Sequence, residues 1–156
     1  MAVAVYESEK LRFHTDLRVT FAALGNCQTD YRWLLTGFEV NSFGDGLPAE
    51  LLAMECGSGV TWVDQWISGA RLDQIVSDYD FQLIWGVLSG FQPHETTTSL
   101  PPELPEGEGY TGEVRLPDAL IEIVAFDSTF TAVAALDPRL EQSFGEYFPE
   151  AQFNHR

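Results

Sequence analysis

Carboxylates are the residues of this chain with the clearest capacity for chemistry. Three pairs of them are candidates: Asp64/Asp73, Asp78/Asp80 and Glu106/Glu108. Paired carboxylates can hold a hard cation or act as the acid and base of a glycosidase. None of the pairs carries the further ligands of a calcium loop, and no sugar-stacking context surrounds them. For Asp78 and Asp80 the alternative is a polar junction between a helix and a strand.

The other residue types used in catalysis do not fall in a recognisable spacing. His14, His94 and His155 form no HExxH or other paired metal motif, so each is expected to be a surface or strand-end histidine. The chain has no G-x-S-x-G nucleophile elbow and no glycine-rich phosphate loop. We therefore predict no catalytic residue, no metal site and no cofactor, although a triad assembled from distant residues stays open.

The segment 92–114 concentrates negative charge in what the sequence predicts to be a long loop. Its prolines oppose helix formation and remove backbone donors that a sheet requires. The wider stretch between Arg71 and Arg115 contains no basic residue. The acids of this stretch are Asp73, Asp78, Asp80, Glu95, Glu103, Glu106, Glu108 and Glu113. If these carboxylates lie on one face, they would focus a field that attracts cations.

The charge balance of the whole chain restricts its partners. There are 24 acidic and 8 basic residues, which gives a formal net charge of −16. This excess argues against binding to nucleic acid or an anionic membrane, because both require clustered cations. It favours a basic protein partner, with solubility alone as the competing explanation. The chain begins with no signal-peptide pattern and has no apolar run of about 18 residues, so we expect a cytoplasmic protein.

Aromatic residues near the acids complete a candidate binding surface. Trp62 and Trp66 are four positions apart and would share one face of a helix, with ordinary packing as the alternative. Trp85, in contrast, is expected to lie in the core. The predicted partner-binding residues are Asp64, Trp66, Asp73, Asp78, Asp80, Glu103, Glu106, Glu108, Tyr110 and Glu113.

Local patterns predict an α+β fold in one domain over residues 1–156. Capping residues indicate helices that begin after Thr15 or Asp16, near Pro48, after Ser68 and after Asp137, and the tail is expected to fray from about 150. Strands are predicted at 3–6 continuing into 11–14, at 31–35, 38–40 and 80–91, and in a hairpin over 119–136. The sequence therefore predicts a mainly antiparallel sheet of about five or six strands, with three or four helices packed on it.

Three stretches carry a resemblance in the length and order of elements: DYRWLLTGFEVN, WISGARLDQIVSDYDFQLIWGVLSGF and LIEIVAFDSTFTAVAALDPRLEQSF. They are similar to small bacterial α+β proteins, namely an uncharacterised family and the immunity proteins of polymorphic-toxin systems. The resemblance carries over no catalytic residue. The negative charge, the stretch without cations, the aromatic residues and the missing catalytic motifs lead us to expect an acidic inhibitor that neutralises a cognate basic toxin, with a nuclease favoured because nuclease sites are cationic. The alternative is a small ligand-binding or enzymatic domain with its site under the 92–114 loop.

Overall fold

One antiparallel sheet organises the molecule. The computed structural model describes residues 2–44, 46–52, 64–94 and 112–154. Within these residues there are seven strands: β1 (Ala2–Val5), β2 (Arg32–Ser42), β3 (Gln65–Ser68), β4 (Phe81–Phe91), β5 (Ile121–Phe126), β6 (Phe130–Ala135) and β7 (Gln152–Asn154). Their order is β3-β2-β4-β5-β6-β1-β7, and all neighbours are antiparallel. The antiparallel sheet is confirmed, although the expected number of strands was too small.

Four α-helices accompany the sheet in the described part of the chain: α1 (Leu17–Ala23), α2 (Ala49–Leu52), α3 (Gly69–Asp78) and α4 (Pro138–Tyr147). The predicted caps of two of them are confirmed. Ser68 Oγ accepts a bond of 3.1 Å from the Arg71 amide, and Asp137 Oδ1 accepts one of 3.0 Å from the Arg139 amide. These bonds satisfy donors that a helix leaves free in its first turn. No helix among these residues is long and apolar enough to cross a bilayer.

The two faces of the sheet carry separate apolar clusters. Phe21 of α1, Ile75 of α3 and Phe144 of α4 share the main core with Trp33 and Leu88 of the central strands. Because successive side chains of a strand point to opposite faces, the alternate residues form clusters of their own on the other side. One of those clusters consists of Leu34, Phe91, Leu116 and Ala119. The other consists of Ala4, Val124 and Ala132. Strand β4, predicted to be central and apolar on both faces, lies between β2 and β5.

The hairpin predicted over 119–136 is confirmed as β5 and β6. Asp127 and Ser128 have φ values of 45° and 52°, and the Thr129 amide closes the turn on Phe126 O at 2.8 Å. Left-handed residues at the centre of a tight turn match the twist of the flanking strands. This turn therefore fixes the register that pairs Phe126 with Phe130.

Strand β2 differs from its prediction. It runs unbroken over Arg32–Ser42, where two segments joined by a turn at Thr36-Gly37 were expected. Gly37 has a φ of 61°, and the register with β4 shifts between Thr36 and Glu39. The irregularity is thus absorbed as a β-bulge, which bends a strand without ending it.

Two further predictions near the chain ends are wrong. Residues 11–14 form no strand, because the Leu11 amide bonds to Ser8 O in a turn. Residues 152–154 do not fray but pair with β1 as β7. The open edge of β1 offers unpaired backbone donors and acceptors, and the last described residues satisfy them.

Candidate functional site

The predicted partner-binding residues are only partly described by the structure. Glu103, Glu106, Glu108 and Tyr110 lie outside the described residues. Asp78 and Glu113 are exposed. The other four have partners of their own, and no hydrogen bond or ion pair in the described ranges joins one predicted site residue to another.

Asp64 and Trp66 hold the edge strand β3 against β2. Asp64 Oδ1 accepts a bond of 3.0 Å from the Gly37 amide, which lies at the bulge of β2. The Trp66 ring lies 5.0 Å from the Phe91 ring, and the Arg32 guanidinium lies 4.3 Å above its face. Trp66 therefore packs on the sheet and already stacks with a cation of its own chain.

Asp73 and Asp80 also have structural partners. Asp73 accepts a bond of 2.7 Å from Gln28 Nε2, which ties α3 to the turn that precedes β2. Asp80 forms an ion pair of 3.0 Å with Arg12, whose guanidinium also binds buried Asp16 at 2.7 Å. Asp80 therefore lies in a polar junction between α3 and β4, which was the alternative considered for it in the sequence.

Four aromatic rings cross neighbouring strands at one end of the sheet, and we call them the aromatic row. Trp85 contacts Phe126 with ring centroids 4.7 Å apart, and Phe126 stacks on Phe130 at 5.0 Å with the planes 9° apart. Phe130 in turn contacts Tyr6 at 5.2 Å. The row therefore runs over β4, β5, β6 and the end of β1. It lies on the face opposite the helices, in line with Val124 and Ala132.

The aromatic row is partly open to solvent. Trp85 is 36% exposed and Tyr6 41% exposed, so the expected core position of Trp85 is wrong. Monomeric proteins seldom leave connected aromatic rings on a sheet face without use for them. Acidic residues border the row: Asp127 lies in the turn between its two central rings, and Glu39 is the register partner of Trp85 on β2.

A cavity of about 520 Å³ opens at the Tyr6 end of the aromatic row, and we call it the acid pocket. Its lining consists of Tyr6, Glu7, His14, Ser128, Thr129, Glu150 and Gln152. These residues include two carboxylates and no lysine or arginine. Tyr6 belongs to both features, and the turn that carries Ser128 and Thr129 joins the two central strands of the row.

Hydrogen bonds from half-buried Gln82 hold one wall of the acid pocket. Gln82 Nε2 donates to His14 O at 3.1 Å and to Ser128 Oγ at 3.3 Å. The next residue, Thr15, is buried with a φ of 53°, a conformation that β-branched residues rarely adopt. Thr131 Oγ1 donates to Thr15 Oγ1 at 2.9 Å, which helps to hold this conformation. Unfavourable backbone of this kind persists only where the surroundings determine it, and it is frequent at functional sites.

His14 contributes an acceptor without a partner. Its Nδ1 atom is shielded from solvent and has no hydrogen-bond partner within the described residues. A neutral imidazole can accept at this nitrogen, and an unused acceptor shielded from water costs free energy. The pocket lining itself combines negative charge, an aromatic ring and hydroxyl groups, all of which suit a hydrogen-bond donor that carries positive charge.

A second polar group is buried deeper on the same face of the sheet. Glu122 on β5 is 1% exposed, and its Oε1 accepts from the Leu116 amide at 3.0 Å and from Ser89 Oγ at 3.5 Å. Arg115 Nε lies 3.8 Å from its Oε2. This carboxylate fastens the segment after residue 112 to the sheet.

Cys27 is not placed to act as a nucleophile. Cys27 is buried, and burial, helped by the charge of Asp30, raises the pKa of its thiol to about 12. A thiol with such a pKa is not a nucleophile at neutral pH. No group of three metal-binding side chains occurs within the described ranges.

Sequence reasoning missed both the aromatic row and the acid pocket. Their members are spread from Tyr6 to Gln152 and meet only through strand register. The one available signal was the pair of phenylalanines flanking the Asp127-Ser128 turn, since a tight hairpin places such residues opposite each other. Comparison with known proteins found no family model, no curated protein and no solved structure that matches this chain.

Proposed function

We propose that the protein is an acidic, protein-binding inhibitor of the immunity type, which acts in the cytoplasm and covers the basic site of a cognate toxin. A nuclease is the favoured toxin class, because its site must be cationic to bind nucleic acid. The observation that carries the proposal is the aromatic row, which lies partly exposed beside Asp127, a carboxylate with no ion pair to another described residue.

The distribution of cations supports this proposal. Arg12, Arg71, Arg115 and Arg139 each contact a carboxylate elsewhere in the molecule. Arg18 donates instead to carbonyl groups at the end of α3. The acids near the aromatic row, namely Glu7, Asp127 and Glu150, have no ion-pair partner in the described part of the chain. Their charge is therefore available to a basic partner.

The combination of residues has the character of an interface centre. Binding energy in protein complexes is concentrated in a few aromatic and arginine residues that become desolvated on association. Charges around such a centre accelerate encounter with an oppositely charged partner and select against wrong ones. Trp85 and Tyr6 offer ring faces on which an arginine of the partner can stack. The acidic segment 92–114 would add to the attraction through its charge.

Affinity capture followed by reconstitution tests the proposal. Tagged protein is used to isolate binding proteins from its native host at low salt, and each candidate is then purified and assayed alone. We expect a basic partner whose own activity is abolished by one equivalent of this protein. Trp85→Ala should weaken the complex at least tenfold, whereas Leu52→Ala, which truncates another exposed apolar side chain on α2, should not. A partner that binds but stays fully active would contradict inhibition.

Ligand binding or catalysis under the 92–114 segment is the second candidate function, and Glu122 favours it. A carboxylate buried beside Ser89 and Arg115 is the kind of group that orients a small ligand. A fragment screen by ligand-observed NMR separates the two functions. Hits that compete with one another and lose binding in Glu122→Gln would support this site. A screen whose hits bind equally well to the variant would argue against it.

A further inference from the structure

The acid pocket has a chemistry specific enough to define what enters it. We propose that it receives one arginine side chain of the basic partner, so that the guanidinium is bound between the two carboxylates and the Tyr6 ring. This inference rests on the proposed function and deepens it, because it assigns the anchor of the complex to a single pocket.

The pocket residues match a guanidinium in charge and in hydrogen-bonding capacity. Glu7 and Glu150 supply negative charge, and the Ser128 and Thr129 hydroxyls supply further acceptors. A guanidinium presents five donors in one plane and bears no acceptor, so it can use acceptors placed around it. A lysine ammonium has three donors and no planar face to stack on Tyr6.

The position of the acid pocket fits an anchor at the end of an interface. It shares Tyr6 with the aromatic row, so a segment that lies along the row can turn its arginine into the cavity. The hydrogen bonds of Gln82 and Thr15 hold one wall in place before binding. A site organised in advance loses less side-chain entropy when it binds, which favours a single well-defined anchor.

Short peptides test this inference without knowledge of the partner. The probes are acetyl-Gly-Arg-Gly-amide, its lysine counterpart and its citrulline counterpart, which keeps the planar shape without the charge. Binding to the 15N-labelled protein is followed at low salt by the shifts of the Tyr6, Glu7, Ser128 and Thr129 amides. We expect saturable shifts with the arginine peptide, with a dissociation constant in the range of about a millimolar. Binding should be weaker for lysine and absent for citrulline.

A matched pair of variants provides the control. Glu150→Gln should weaken binding of the arginine peptide roughly tenfold, because the substitution removes a charge-assisted hydrogen bond. Asp118→Asn makes the same charge change at an exposed turn outside the pocket, where asparagine also tolerates the positive φ of 67°. It should leave binding unchanged. Equal weakening by both variants would mean diffuse attraction and would overturn the inference, as would absence of saturable shifts or equal binding of the citrulline peptide.

The inference and the proposed function can fail separately. If a captured partner is inhibited equally by wild type and Glu150→Gln, the inhibitor function stands and the arginine anchor is wrong. If the arginine peptide binds as expected but every purified candidate partner stays active, the pocket is a guanidinium site in a protein that is not an inhibitor.

Discussion

The ring of Phe153 in β7 lies directly against Gly145 in α4, so closely that a Cβ atom at position 145 would overlap it. Glycine inside a helix costs about 1 kcal/mol relative to alanine, and the sequence alone marks Gly145 as a weak point of α4. The contact gives this glycine a purpose, because it lets the last strand pack beside the helix while it pairs with β1.

Gly145→Ala should therefore fail to stabilise the protein. Alanine raises the helix propensity at this position by about 1 kcal/mol relative to glycine. In the otherwise wild-type protein this gain in stability is cancelled, because the Phe153 ring must move away from the new methyl group. In a Phe153→Ala background the same substitution should recover that gain. A double-mutant cycle from urea unfolding measures the coupling, which we expect to be about 1 kcal/mol. A coupling near zero would show that the contact imposes no constraint.

Glu122→Gln should lower the free energy of unfolding by about 2 kcal/mol, because the buried carboxylate accepts from the Leu116 amide and faces half-buried Arg115 at 3.8 Å. Glu113→Gln makes the same change at an exposed position of the same segment and should alter stability by less than about 0.5 kcal/mol. Urea unfolding monitored by circular dichroism checks both values. Equal effects of the two substitutions would show that Glu122 stabilises the fold no more than the exposed Glu113 does.

The Glu50–Arg71 pair should make stability depend on pH in a defined direction. The hydrogen bond from Arg71, at 2.7 Å, holds the pKa of Glu50 below its ordinary value of 4.5. A lowered folded-state pKa means that the carboxylate stabilises the protein above pH 4.5 and loses this contribution as pH falls through the folded value. The pair is partly exposed, so the contribution should stay below about 1 kcal/mol.

Unfolding of wild type and Glu50→Gln at neutral pH and at about pH 3 measures this contribution. Wild type should be the more stable at neutral pH, and the difference should shrink on acidification. Glu9→Gln, at an exposed site with no ion pair in the described ranges, should differ equally little from wild type at both pH values. A Glu50→Gln difference that grows on acidification would contradict the sign of the pKa change.

Replacing Glu103, Glu106 and Glu108 together by glutamine should slow association with a basic partner and flatten its salt dependence. The melting temperature should stay unchanged or rise slightly, since like charges near one another do not favour folding. Stopped-flow mixing at two ionic strengths gives the association rate. The control removes three charges elsewhere, at Asp30, Asp118 and Glu146. If the control slows association as much, net charge rather than this segment attracts the partner.

Features set by neighbouring residues could be predicted from the sequence. The caps at Ser68 and Asp137 and the turn at Asp127-Ser128 depend on local hydrogen bonding and φ preferences, and all three are confirmed. The bulge in β2 and the strand β7 depend on partners distant in the chain. Local residue preferences predicted a turn and a frayed tail at these two places. Such preferences do not include the hydrogen bonds that a segment makes with a strand distant in the chain.

The candidate site could not be predicted for the same physical reason. Trp85 belongs to strand β4, which is apolar on both faces. The apolar pattern of this strand predicts burial, and it does not show which part of either face stays exposed to solvent. Tyr6 and Phe130 are joined only by the pairing of β1 with β6. Asp64, Asp73 and Asp80 were recognised as chemically capable, yet each has a local structural partner that composition cannot reveal.

The position of β1 between β6 and β7 has a consequence for how the chain matures on the ribosome. The apolar strand Ala2–Val5 is synthesised before either of its neighbours, which are formed by residues 130–135 and 152–154. Its backbone therefore stays unpaired while the intervening residues are made, and pairing so distant in the chain is slow to form. During that interval the nascent polypeptide exposes a hydrophobic segment that chaperones can bind.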